Sequence, residues 1–158
     1  MSIRRAGMLA LALCAVAGQA AAQKGDVAGL YTVTMVNAKN IPAATWKRSM
    51  SDTSCATATQ NGTLMLDSKG RYAVLLTERD RCTAGSKRWT VPDVSTLSTG
   101  TYTSDGDNIT FSDAGDGTTY RAVMDANGKM TVTVEGTDPF AGQRATYVLR
   151  KQRATRGK

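Results

Sequence analysis

Two cysteines, Cys55 and Cys82, and a series of aspartates carry most of the chemistry open to this chain, and no histidine stands beside them. Without an imidazole there is no His-containing serine or cysteine triad and none of the usual zinc sites. Asp105, Asp107, Asp113 and Asp116 carry oxygen ligands of the kind calcium takes, but none belongs to a complete Asp-x-Asp-x-Asp-Gly loop with its distant glutamate. They fall in turn-like stretches, where a carboxylate accepts local backbone N–H groups. No spacing of acidic residues suggests a paired-carboxylate hydrolase. The reading is a non-enzyme, with no catalytic residue, no metal and no cofactor.

The cysteines take their meaning from the start of the chain. Arg4 and Arg5 precede an apolar run from Met8 to Ala17, followed by small residues ending Ala20-Ala21-Ala22. This pattern predicts a signal peptide over residues 1–22, cleaved after Ala22. The run is shorter than the roughly 20 residues of a spanning helix, so the mature chain is expected to have no transmembrane segment. Cys14 leaves with the leader, and Cys55 with Cys82 then forms an even pair in an exported protein, which predicts a disulfide. The two lie too far apart for a Cys-x-x-Cys redox site. The expected location is periplasmic or secreted, and residues 23–150 have the length of one domain with a single core.

The elements that must position these residues are strands. Turn signals recur at Asp67-Ser68-Lys69-Gly70, Asp105-Gly106-Asp107-Asn108, Asp113-Ala114-Gly115-Asp116-Gly117 and Asp125-Ala126-Asn127-Gly128. The segments between them alternate apolar and polar residues, as antiparallel strands joined by hairpins do. Strands are expected over residues 30–37, 43–50, 55–60, 63–67, 71–78, 86–91, 100–104, 108–112, 118–124, 129–135 and 144–151. Asn61-Gly62 is read as a turn or a bulge. Strand 71–78 is apolar on both faces, which suggests cover on each side. Parity places Tyr31, Val33, Met35, Tyr72, Val74, Leu76, Tyr102, Phe111 and Tyr120 inward, with Ile109, Ala122, Met124, Met130, Val132, Val134, Tyr147 and Leu149. The fold class is all-β, an antiparallel up-and-down meander barrel of about 8–10 strands. A two-sheet β-sandwich is the alternative.

Charge is unevenly placed. The chain carries a net +7, and residues 151–158 read as a basic disordered tail that an anionic envelope surface would attract. Nucleic acid is a poor partner for an exported chain with few aromatics near its basic residues. Glu78-Arg79-Asp80-Arg81-Cys82 and Lys87-Arg88-Trp89 form two arms of one hairpin. They read either as a recognition tip anchored by Trp89 or as an exposed hairpin with cross-strand ion pairs, and the second reading is preferred.

Gly29-Leu30-Tyr31, Val36-Asn37-Ala38-Lys39-Asn40-Ile41-Pro42, the segment from Leu75 to Cys82, Gly100-Thr101-Tyr102-Thr103 and Ile109-Thr110-Phe111-Ser112-Asp113 together resemble the small exported lipocalin-like proteins of bacteria. The resemblance implies a calycin-type barrel whose opening Gly-x-Trp is covered by an arginine from a late strand. Tyr31 stands here in place of the tryptophan, and Arg150 is the late-strand candidate. Two functions follow. One is a carrier of a small, mostly apolar ligand lined by Tyr31, Val33, Met35, Tyr72, Val74, Leu76, Tyr102, Phe111 and Tyr120, because the inner face has no lysine or arginine to receive an anion. The other is a packed barrel serving as an envelope interaction or inhibitor module through its loops and basic surface. An internal void of roughly 300 Å3 or more would favour the first.

Overall fold

A computed structural model of the protein describes residues 27–153, all in strands and their connections. The leader 1–22 and the end of the basic tail, 154–158, lie outside the described residues. Eleven strands follow one another: β1 Gly29–Val36, β2 Lys39–Asn40, β3 Ala43–Met50, β4 Thr53–Leu66, β5 Arg71–Ala84, β6 Lys87–Thr90, β7 Val94–Asp105, β8 Asn108–Asp113, β9 Thr119–Met124, β10 Lys129–Glu135 and β11 Arg144–Lys151. Eight of them close a barrel in the order β1, β4, β5, β7, β8, β9, β10, β11 and back to β1, every pairing antiparallel. Closure leaves the eight with no continuous free edge. No helix among the described residues is long and apolar enough to cross a membrane.

The hairpins are set by the aspartates. Asp67 Oδ1 accepts the backbone N–H groups of Lys69 and Arg71, and Asp125 Oδ1 those of Asn127 and Lys129. Each such aspartate replaces backbone partners that the turn leaves unpaired, and the resulting hydrogen bonds hold the carboxyls of Asp67 and Asp125 below their ordinary range.

Three bulges decide which residues face inward. In β4 the register shifts between Thr59 and Asn61. Cys55, Thr57 and Thr59 are buried before it and Gly62, Leu64 and Leu66 after it, so one inserted residue moves the inner face from odd to even positions. The inserted residue is Gln60; Asn61 and Gly62, expected as a turn or a bulge, are both paired with β5, within one long strand that joins the two segments expected at 55–60 and 63–67. In β1 the shift lies between Val33 and Met35; Val36 enters the core and Met35 leaves it, contrary to the sequence parity. A third shift in β3, between Ala44 and Trp46, buries Thr45 and Trp46 side by side.

The first halves of β4 and the second halves of β5 run beyond the barrel wall. There β3 pairs with β4 and β6 with β5, forming a four-stranded extension above the barrel. Cys55 and Cys82 lie directly opposite one another in it and are bridged, with Cα atoms 4.0 Å apart. The outer face of β5 is open rather than covered: Leu75 stands opposite Leu97 of β7, and both are exposed.

At the other end Tyr31 is fully buried, and its hydroxyl donates to the carbonyl of Val27 at 2.7 Å. Its partner on β11 is Lys151, whose Nζ lies 6.0 Å from the ring centroid, while Arg150 pairs with Thr32 and points outward. The strand therefore continues through Lys151, and the cation beside the aromatic plug is Lys151 in place of Arg150.

Candidate functional site: the barrel cavity

The barrel is not filled. A cavity of about 250 Å3 occupies its interior, between the roughly 150 Å3 that admits a benzene-sized molecule and the roughly 300 Å3 at which drug-sized pockets begin. Of the nine residues expected to line it, Val33, Tyr72, Val74, Leu76, Phe111 and Tyr120 do so. Tyr31 and Tyr102 do not, because both are committed to the closed end: Tyr31 to Val27, and Tyr102 by a 2.6 Å hydrogen bond to the carbonyl of Asp67. Met35 is turned away by the β1 bulge. Leu64, Val132, Val134 and Leu149 complete the aliphatic wall.

Space is kept by glycine at two points. A Cβ on Gly62 would come within 2.6 Å of both Val33 Cγ2 and Leu76 Cδ2, two side chains of the cavity wall. A Cβ on Gly100 would meet the Tyr72 ring at 2.7 Å and press on the carbonyl of Ser112. Both glycines let neighbouring strands and rings approach where a side chain would displace them. Tyr72 packs edge-on against Phe111, centroids 5.2 Å apart.

The wall has two polar places. At the first, Asp113 accepts from Ser98 Oγ and, at 3.2 Å, from the Tyr72 hydroxyl. The Ser98 bond and the Gly115 backbone N–H hold the Asp113 carboxyl below its ordinary range, while burial and then the Asp113 charge raise the Tyr72 phenol to about 12. Both groups keep their usual charge at neutral pH, and their hydrogen bonds satisfy each other.

The second place was missed by the sequence reading. Residues 78, 80 and 82 of β5 share one face, and that face is the inner one. Glu78 lines the cavity, and one of its carboxyl oxygens, Oε1, is buried without a hydrogen-bond partner. Burial, and then the nearby Asp80 charge, push its pKa above the ordinary glutamate value, with the Thr59 hydroxyl opposing. Tyr147 is raised to about 12, by burial and then by the Glu78 charge. Asp80 is matched: Arg48 Nη2 lies 2.8 Å from Oδ2, and Thr57 Oγ1 donates to Oδ1 at 2.6 Å. The charged hairpin therefore does not carry cross-strand ion pairs between its two arms. Its acids face inward, and Arg79 pairs with Asp93 beyond β6.

Beside Glu78 a second hollow of about 230 Å3 adjoins the first, with Trp46 and Glu78 lining both. Trp46 stacks on Phe140, centroids 5.5 Å apart, and Gln143 fastens the Phe140 loop to β3 through both the N–H and the carbonyl of Lys47. This hollow is the vestibule of the cavity. A larger one of about 350 Å3 at the opposite end lies against the Ser68–Gly70 turn and is lined chiefly by polar groups, so it has little apolar area to cover. Among the described residues no three His, Cys, Asp or Glu side chains group together as metal ligands would.

The arrangement can enclose a small apolar body and present a carboxyl at its mouth. Compared with known protein families, curated proteins and solved structures, the chain matches none, so what this site does is read from its own geometry.

Proposed function

We propose that this protein is a non-catalytic, lipocalin-like carrier that holds a small, mostly apolar molecule inside its barrel, in the periplasm or outside the cell. The observation that carries this reading is the apolar cavity itself. An interior of about 250 Å3 walled by Val33, Leu64, Val74, Leu76, Val132 and Leu149 forgoes contacts that a packed core would make, and a guest restores them. Export is supported by the leader pattern and the Cys55–Cys82 bridge. The cavity is smaller than the 300 Å3 set by the sequence argument, which limits the guest to one ring or a short chain. Burying about 200 Å2 of such a guest at roughly 25 cal/mol per Å2 stabilises the complex by about 5 kcal/mol before ordering costs, which corresponds to dissociation constants no tighter than about 0.2 mM from apolar contact alone.

A second reading, an interaction module acting through the outer wall, is favoured by one observation: Leu75 and Leu97 face each other on that wall, 44% and 66% exposed. Native mass spectrometry of protein purified from its own host, followed by NMR titration with benzyl alcohol and indole, separates the two. Shifts confined to cavity residues such as Val74 and Val132 support the carrier. No co-purified species and no saturable shift would remove the carrier and leave the interaction module.

A further inference from the structure

We infer that the guest carries a protonated amine, and that the cavity selects a small hydrophobic ammonium compound by pairing its charge with Glu78 at the junction of cavity and vestibule. The inference rests on the carrier reading and adds to it the chemistry of the guest's head group. Glu78 is the one charged side chain on a wall that is otherwise aliphatic and aromatic apart from Ser98, and its Oε1 is buried with no donor. An acceptor buried without a partner is uncommon in a native interior and calls for a donor the protein itself does not supply.

The surroundings say which donor. Neither the cavity nor the vestibule is lined by any lysine or arginine, while two carboxyl groups, Glu78 and Asp80, line the vestibule. The groups around Glu78 are Asp80 on its own strand, the Thr59 hydroxyl from β4 and the Tyr147 phenol from β11. Arg48 of β3, the cation that reaches this carboxyl pair, is spent on Asp80. In a chain whose net charge is +7, this mouth is locally anionic, and a poorly solvated anionic recess attracts a cation and repels an anion. The remaining lining favours the same charge, because the aromatic residues beside Glu78, Trp46, Phe140 and Tyr147, tolerate an ammonium group better than a carboxylate. The size fits as well: the apolar chamber beyond Glu78 has room for one ring. A fatty acid, which would bring a second carboxylate to Glu78 and a long chain to a short cavity, is excluded on both counts.

The test compares benzylamine with benzyl alcohol, which match in size and differ in charge, by NMR titration of the disulfide-intact protein at neutral pH. Benzylamine is expected to bind at least tenfold more tightly, and in Glu78→Gln the two should fall within about twofold of each other. Equal affinities in the wild type, or a preference retained in Glu78→Gln, would overturn the inference while leaving the carrier reading intact. If neither compound binds, both fail. Should Glu78→Gln not fold, the wild type decides alone: acidifying through the Glu78 titration should erase the amine preference, and a preference that persists at acid pH overturns the inference.

Discussion

Breaking the Cys55–Cys82 bond is the perturbation whose magnitude follows most directly from the structure. The bridge closes a loop with a sequence separation of 27. By loop-closure entropy, a loop of that length restricts the unfolded chain by about 12 cal/mol/K, or about 3.5 kcal/mol at 25 °C. Reduction changes no residue of the chain, so the comparison is confined to the bond and the small separation of its two buried sulfurs. Urea unfolding of the oxidised and reduced protein, followed by tryptophan fluorescence and far-UV circular dichroism, should show the midpoint falling by about 1.8 M at a slope near 2 kcal/mol/M. Trp89 stands opposite Cys82 on β6 and Trp46 on β3, both in strands of the extension, so tryptophan fluorescence reports the extension while circular dichroism reports chiefly the barrel. If the midpoint moves by less than about 0.5 M, the bond is not constraining the unfolded chain. If the two probes separate only in the reduced protein, the extension comes apart before the barrel, and the bridge acts on that extension alone.

Three other outcomes are expected. Gly62→Ala should destabilise the fold by about 1 to 3 kcal/mol, because its Cβ meets Val33 and Leu76 at 2.6 Å, and it should weaken any cavity ligand measured by titration, since the two displaced side chains intrude on the chamber. Glu78→Gln should raise stability at neutral pH by on the order of 1 kcal/mol. Because the folded pKa of Glu78 lies above its unfolded value, the wild type is at no disadvantage below the ordinary glutamate range and loses stability as pH rises through the folded value. The advantage of the variant must therefore shrink on acidification, and a gap in urea midpoint that does not change with pH would contradict this. Lys151→Gln should cost about 0.5 to 1 kcal/mol through its position over Tyr31, whereas Arg150→Gln, pointing outward, should leave the thermal midpoint unchanged.

Much of the barrel is legible in the chain because its second half obeys simple rules. Asp-containing turns stand at the ends of β7 to β10, and Ile109, Phe111, Ala122 and Met130 are buried at the positions parity assigns them. Where the inner face is not apolar, the pattern is silent. Sequence alternation finds only residues 100–104 of β7, yet the strand begins at Val94. Its inward positions there are Ser98 and Gly100, while Val94 and Leu97 are exposed, so no period-two signal marks it. Bulges are hidden for a different reason. One extra residue in β1 or β4 leaves composition untouched and reverses every inward assignment after it, which is why Met35 was misplaced and Val36 overlooked.

The Glu78 site was invisible to the same reasoning for a physical reason that also bears on what the protein does. A run of Glu, Arg, Asp and Arg reads as a wetted hairpin, because burying charge is costly and chains avoid it. Here the alternation divides the run: Arg79 turns outward to Asp93, while Glu78 and Asp80 turn inward with the Cys82 half of the disulfide. Asp80 has its compensation in Arg48 and Thr57; Glu78 has only the partial help of Thr59. A chain selected for stability alone would gain by a neutral residue at this position, as the Gln prediction states. The carboxyl's place on the wall of the apolar chamber inside the barrel therefore makes better sense as recognition than as support. If Gln proves no more stable than Glu at neutral pH, the residue costs the fold nothing, and that part of the case for a binding role disappears.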